Sequence, residues 1–149
     1  MNWRENLNPV LIARVERFIA LAARQGYRVS VVSGKRSTAQ QARLYARYKA
    51  GQSRLPAAPP GRSKHEQGNA VDVSINGNAS SSVPWSTWQK VGAIGQQAGL
   101  RWLGQYDRVH FELPDARGAQ TTAAMPFKLI FAGIGVVLAL ALVLGSKAE

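Results

Sequence analysis

From Leu129 to Gly145 the chain reads LIFAGIGVVLALALVLG, 17 residues with neither a charge nor a strongly hydrogen-bonding side chain. A helix packed on a globular core keeps a polar face for solvent, and this run has none. At about 1.5 Å per residue it spans about 25 Å as a helix, and Phe127 with a snorkelling Lys128 extends it toward the roughly 30 Å of a bilayer interior. The hydropathy therefore predicts one transmembrane helix over 127–145, a linker of small and polar residues over 116–126, a tail over 146–149, and one folded domain over 1–115. Met1 to Asn6 lacks the basic stretch and apolar run of a secretory signal, so export by that route is not expected.

Charge and cysteine content narrow the chemistry of the folded part. Residues 1–118 carry 17 Lys/Arg against 7 Asp/Glu, a balance that draws a protein to anionic polymers or surfaces. Nucleic acid, anionic lipid and cell-wall polymer all satisfy it. The basic residues are scattered and accompany no recognised nucleic-acid-binding motif, so nucleic acid is not the expected partner. With no cysteine, neither disulfides nor thiolate metal ligands are available, and any metal site must be built from His, Asp and Glu.

Periodicity gives the elements. Over 9–24, Val10, Leu11, Val15, Phe18, Ile19 and Ala22 recur at helical spacing between charged residues, and Gly26 stops the pattern. Tyr27–Ser33 is β-branched and closed by Gly34, which predicts a core strand. A second helix follows, capped by Ser37 or Thr38, with Ala39, Ala42, Leu44, Tyr45 and Tyr48 as its apolar side through about Lys49. Three prolines and two glycines make 51–63 a surface loop. In Ala70–Ile75 the valines alternate with Asp72 and Ser74, which turns Asp72 away from the core. Trp85–Ala98 reads as a helix with Trp88, Val91 and Ile94 in register, and Leu100–Leu103 and Val109–Leu113 read as short strands. Trp85, Trp88 and Trp102 fit a core better than a sugar-stacking platform.

The two histidines both lie near carboxylates, in Ser63-Lys-His65-Glu-Gln-Gly68-Asn-Ala70-Val-Asp72 and in Asp107-Arg-Val-His110-Phe-Glu112. Catalytic zinc takes three such protein ligands and leaves a fourth position open, and His65, Asp72 and His110 could supply that set. Glu112 lies two residues from His110 on one strand face, where it either orients that ligand or stays solvated. Residues three apart on a strand face opposite ways, so Asp107 reaches the same site only if a turn at Tyr106–Arg108 precedes the strand.

These two segments resemble the VanY-like D-alanyl-D-alanine carboxypeptidases and phage L-alanyl-D-glutamate endopeptidases. The first matches the family's Ser-x-His-x-x-Gly-x-Ala-x-Asp and the second its Asp/Glu-x-x-His. Ser33-Gly34-Lys35-Arg36-Ser37, the glutamines that follow at Gln40 and Gln41, and Gly99-Leu100-Arg101-Trp102 extend the likeness over about residues 8–114. The resemblance implies that His65, Asp72 and His110 bind zinc, that Asp107 is the catalytic carboxylate, and that Arg36 faces the substrate as an oxyanion or carboxylate partner. Ser63 either contacts substrate or closes its loop.

Elements and resemblance together imply an α+β fold, a small antiparallel sheet with packed helices carrying a zinc site, joined to one C-terminal transmembrane helix. The function expected is a zinc-dependent peptidoglycan endopeptidase of the L-Ala-D-Glu type, because Asp rather than Glu at position 107 is the endopeptidase form. A D,D-carboxypeptidase is the alternative within enzymes. A non-catalytic zinc-containing wall-binding or virion structural protein is the alternative outside them. Arg117 and Lys128 before the apolar run weakly place the domain in the cytoplasm. A lytic enzyme anchored in a phage virion membrane or the host inner membrane is the expected setting.

Overall fold

A computed structural model describes residues 2–78 and 82–115. No helix among them is long and apolar enough to cross a membrane. The longest, α1 (Pro9–Arg24), has 16 residues and carries Arg14, Glu16 and Arg17 along its length. This corrects the fold class and the localisation expected from hydropathy: the described chain is a mixed α and β unit without a spanning helix. The single-pass anchor is not supported, and the virion or inner-membrane setting that depended on it falls with it. The linker, span and tail expected over 116–149 lie outside the described residues.

The remaining elements are β1 (Val29–Ser33), α2 (Thr38–Lys49), β2 (Ala70–Ile75), α3 (Trp85–Gln97), β3 (Arg101–Trp102) and β4 (His110–Glu112). They agree with the sequence periodicity to within two residues at each end. The strands form one antiparallel sheet in the order β1-β2-β4-β3. Because side chains alternate along a strand, the pairing of Val71 with Phe111 and of Asp72 with His110 sorts the sheet into two faces.

One face is the core. Val71, Val73 and Phe111 are fully buried there, and α1 and α3 cover them with Leu11, Val15 and Phe18 on one helix and Trp88, Val91 and Ile94 on the other. Burying each such side chain contributes about 1.5–3 kcal/mol, so this layer is the main source of stability. Phe18 meets Phe111 with ring centroids 4.7 Å apart. Gly95 lets α3 approach that pair, since a Cβ there would stand 2.4 Å from Phe111 Cε1.

The opposite face carries Ala70, Asp72, His110 and Glu112. Two backbone features shape its rim. Val32 is the extra residue of a β-bulge, since Val31 pairs with Val73 and Ser33 already pairs with Asp72. Gly68 holds φ at +73° in the loop before β2, and a Cβ there would stand 2.8 Å from the Asn6 carbonyl oxygen. The N-terminal segment is tied to that loop through the Asn8 amide, which donates to the Gly68 carbonyl at 2.9 Å.

α2 departs from its expected packing. Ser37 caps it with a capping box to Gln40, but its one buried residue is Gln41, while Ala39, Ala42, Leu44 and Tyr48 are exposed. The helix borders the polar face of the sheet rather than the core, so its apolar stripe has no hydrophobic layer to enter.

Candidate active site

On the polar face, His65 Nε2, Asp72 Oδ1 and His110 Nδ1 form a triangle in which every edge is 3.2 Å. Asp72 and His110 are direct cross-strand partners, so the sheet register alone sets their spacing. His65 comes from the loop before β2, whose turn is closed by the Gly68 amide donating to the His65 carbonyl at 3.1 Å.

Each imidazole is held from behind. His65 Nδ1 lies 2.8 Å from the Gly34 carbonyl, which can only accept, so Nδ1 carries the hydrogen and Nε2 turns a lone pair to the site. His110 Nε2 lies 2.9 Å from Glu112 Oε2 and donates to it, which leaves Nδ1 facing inward. Glu112 is buried, and its other oxygen stands 3.0 Å from Arg101 Nε, an ion-pair contact whose N–H is not aligned as a hydrogen bond. Glu112 is thus buried against His110 rather than solvated.

Three donor atoms this close do not coexist without a positive charge between them. Ligands about 2.0–2.1 Å from a tetrahedral ion are separated by about 3.3 Å, so the triangle has the dimensions zinc requires, with a fourth position left over. These three residues are the group that could hold a metal ion among the described residues. In the metal-free chain protons take that place. Burial disfavours the charged His110 ring, but hydrogen bonds to Asp72 and Glu112 and the charges of both outweigh it and raise its pKa to about 9. Burial also works against the Asp72 carboxylate, yet the hydrogen bonds and charges of His110 and His65 hold it well below the usual carboxylate range.

The triangle lies in a cleft of about 350 Å³ whose walls include Arg36, Ser63 and Asp107. Asp107 precedes β4 in the turn over 104–109, as its distance from His110 in sequence required. Burial and the neighbouring Asp72 charge push its carboxyl pKa up. Arg36 has one nitrogen donating to Gln41 Oε1 at 2.8 Å and another 3.6 Å from Asp72 Oδ2. Ser63 is buried at the cleft wall. The fold thus brings all seven sequence-selected residues to one cleft.

Two contributors were not legible as such. Gln41 is fully buried and donates to the Ala58 carbonyl at 2.7 Å, so it ties Arg36 to the proline-rich loop. Its polar type and helical position gave only a place in a Gln-rich stretch. Trp102 donates from Nε1 to the Arg108 carbonyl at 2.8 Å and so fastens the turn that bears Asp107. Its ring stacks on Phe111 at 6.3 Å and on Trp85 at 5.6 Å, and the Arg108 guanidinium lies 5.4 Å from the Trp85 ring centre. Trp85 is therefore not a core residue: it is 37% exposed and closes the outer end of this stack.

A family model described as VanY, D-alanyl-D-alanine carboxypeptidase, matches residues 4–125. Among solved structures, the LdcB LD-carboxypeptidase, studied for peptidoglycan recognition, superposes with a TM-score of 0.64 at 19% identity, over 81% of this chain and 65% of that one. The chain thus spans under two thirds of LdcB. A mutant of the vancomycin resistance D,D-pentapeptidase VanY, from a VanB-type cassette and in complex with Zn(II), gives 0.59 at 19% identity over 77% of this chain and 76% of its own. The Serratia marcescens L-Ala D-Glu endopeptidase ChiX gives 0.54 at 28% identity, over 75% of this chain and 84% of its own. At 19% identity the first two speak to the fold alone.

The proton on His110 has a testable consequence. Its pKa lies above that of an unfolded histidine, so the proton stabilises the metal-free fold fully below about pH 6.5, and this contribution is lost as pH rises through about 9. A metal held by the same nitrogen would compete with that proton, so its affinity should run the other way and increase from pH 6.5 to 9. Competition with a chelator of known pH dependence measures this, and an affinity flat across the window would contradict the assignment. Separately, Trp102→Phe keeps one aromatic ring but removes the N–H together with part of the indole, and should cost at least about 1 kcal/mol in urea unfolding. Unchanged stability would mean that the indole does not hold the turn.

Proposed function

Since the chain belongs to the VanY D-alanyl-D-alanine carboxypeptidase family, we propose that it is a zinc-dependent peptidase of peptidoglycan stem peptides, with His65, Asp72 and His110 as metal ligands and Asp107 as catalytic carboxylate. The observation that carries this reading is the 3.2 Å triangle of donor atoms in a cleft walled by an independent carboxylate. A purely structural zinc site closes its fourth position with a protein ligand; this one opens onto the cleft.

Zinc bound there supplies a Lewis acid that lowers the pKa of water and polarises a scissile carbonyl. The rest falls to the chain. Asp107 takes a proton from the attacking water on a carboxylate oxygen and passes it to the leaving amine. A raised pKa makes its carboxylate a better acceptor of the water's proton, and the leaving amine, more basic still, takes that proton from it. Arg36, held by Gln41, presents fixed donors to the charge developing on the carbonyl oxygen or to a substrate carboxylate. Glu112 and the Gly34 carbonyl keep both imidazoles in the tautomer that ligation needs.

We assign the cleaved bond to the L-Ala-D-Glu type. The presence of Asp at position 107 supports this, as does the 28% identity to an L-Ala D-Glu endopeptidase. D,D-carboxypeptidase activity is the second reading, favoured by the name of the matching family and by a half-buried Arg36 able to hold a terminal carboxylate.

With the full-length chain and purified peptidoglycan, zinc should restore activity after chelation, and the product should be a new amino terminus on D-Glu. Asp107→Ala should lower the rate by at least about a hundredfold while zinc binding is kept. Release of D-alanine instead would select the carboxypeptidase reading, and undiminished activity of Asp107→Ala would remove that residue from the mechanism.

A further inference from the structure

Beside the cleft, on the other side of Arg36 and Leu44, which line both, runs an open groove of about 450 Å³. Its walls are β1 with the Gly34 turn and one face of α2, and its charged residues besides Arg36 are Lys35, Arg43 and Arg47. Among the described residues, no acidic residue lines it. Arg43 and Arg47 are four apart on α2 and so are neighbours on one helix face, an arrangement that disfavours the helix by like-charge repulsion. Both are exposed, and among the described residues neither meets a carboxylate. Lys35 donates to the Glu66 carbonyl, a neutral partner that leaves its charge uncompensated. Between the cations the surface is apolar: Val32, the bulge residue, is 53% exposed and Leu44 37%.

Paired cations without counter-charges, next to exposed apolar carbons and continuous with the cleft, fit one kind of ligand. It is an extended peptide with small apolar side chains and free carboxylates. We propose that this groove is a substrate subsite that binds the carboxylate-bearing part of the peptide leading away from the scissile bond, with Arg43 and Arg47 as its specificity-determining residues. The assignment rests on the peptidase reading above and extends it. An enzyme that cuts within a peptide needs a track on both sides of the bond, and the groove provides one where the cleft ends at Arg36.

The test uses the zinc-loaded full-length chain, wild type and Arg43→Ala/Arg47→Ala, with the peptide L-Ala-γ-D-Glu-L-Lys and the same peptide with its carboxylates amidated. For the free-acid peptide the double variant should raise KM about tenfold with little change in kcat, the scale of two exposed charge pairs. Amidation should raise the wild-type KM by a similar factor and leave the double variant almost unaffected, and added salt should shrink the difference. An unchanged KM in the double variant, or an equal rise for both peptides, would overturn the proposal. If wild type cleaves neither peptide, the L-Ala-D-Glu assignment fails, and the dissociation constants of the same four pairs decide the groove by the same pattern. Arginine-dependent binding of poly(glycerol phosphate) with no arginine-dependent binding of the acidic peptide would also overturn it, in favour of a phosphate polymer.

Discussion

Three lone-pair-bearing atoms 3.2 Å apart constitute an electrostatic problem that the fold solves only by enclosing a positive charge. His65, Asp72 and His110 have to share either protons or a metal, and much of the polar face is arranged around that requirement. Glu112 and the Gly34 carbonyl fix the imidazoles from outside, the Gly68 turn delivers His65 from a loop, and the pairing of Asp72 with His110 sets one edge of the triangle by register. In the metal-free chain the strain is relieved by a proton on His110, which is why that ring holds its proton to about pH 9. On the proposed reading, metal and proton are alternative occupants of one site, and the protein's response to pH and to chelators would follow from their competition.

The division of labour between the sheet faces makes this possible in so small a domain. Val71 and Phe111 anchor the same strands whose adjacent residues, Asp72 and His110, form two corners of the polar triangle. A core side chain and a site side chain are therefore one peptide unit apart, and the rigidity of the core is passed to the site with little intervening structure. Asp107 is the exception, being on a turn. It gains its fixity from the stack of Phe111, Trp102 and Trp85 and from the indole hydrogen bond to Arg108.

What the sequence disclosed follows from which signals are local. The alternation in Ala70–Ile75 predicted both the strand limits and the outward direction of Asp72, because a two-residue period is written into the chain itself. The spacing of Asp107 from His110 likewise required the turn that is present. Four relations were not legible. The burial of Gln41 and the exposure of the apolar side of α2 depend on which layer α2 packs against, and the bulge at Val32 on the pairing of β1 with β2, tertiary facts with no local period. The position of Trp85 depends on a ring partner 17 residues away, Trp102, that helical register cannot see. The apolar run over 129–145 taught a different lesson. Hydropathy argued for a spanning helix; no helix among the described residues is long and apolar enough to cross a membrane, and the run itself lies outside them.

The most direct measurement of the central claim is X-ray absorption at the zinc edge on the full-length chain reconstituted with zinc. The account predicts one zinc per chain, with two imidazole nitrogens at about 2.0–2.1 Å, one carboxylate oxygen at about 2.0–2.2 Å, and a further light ligand not supplied by the protein. Loss of one imidazole from that shell should follow His65→Ala or His110→Ala. A chain that binds no zinc, or a coordination shell unaltered by both substitutions, would contradict the account.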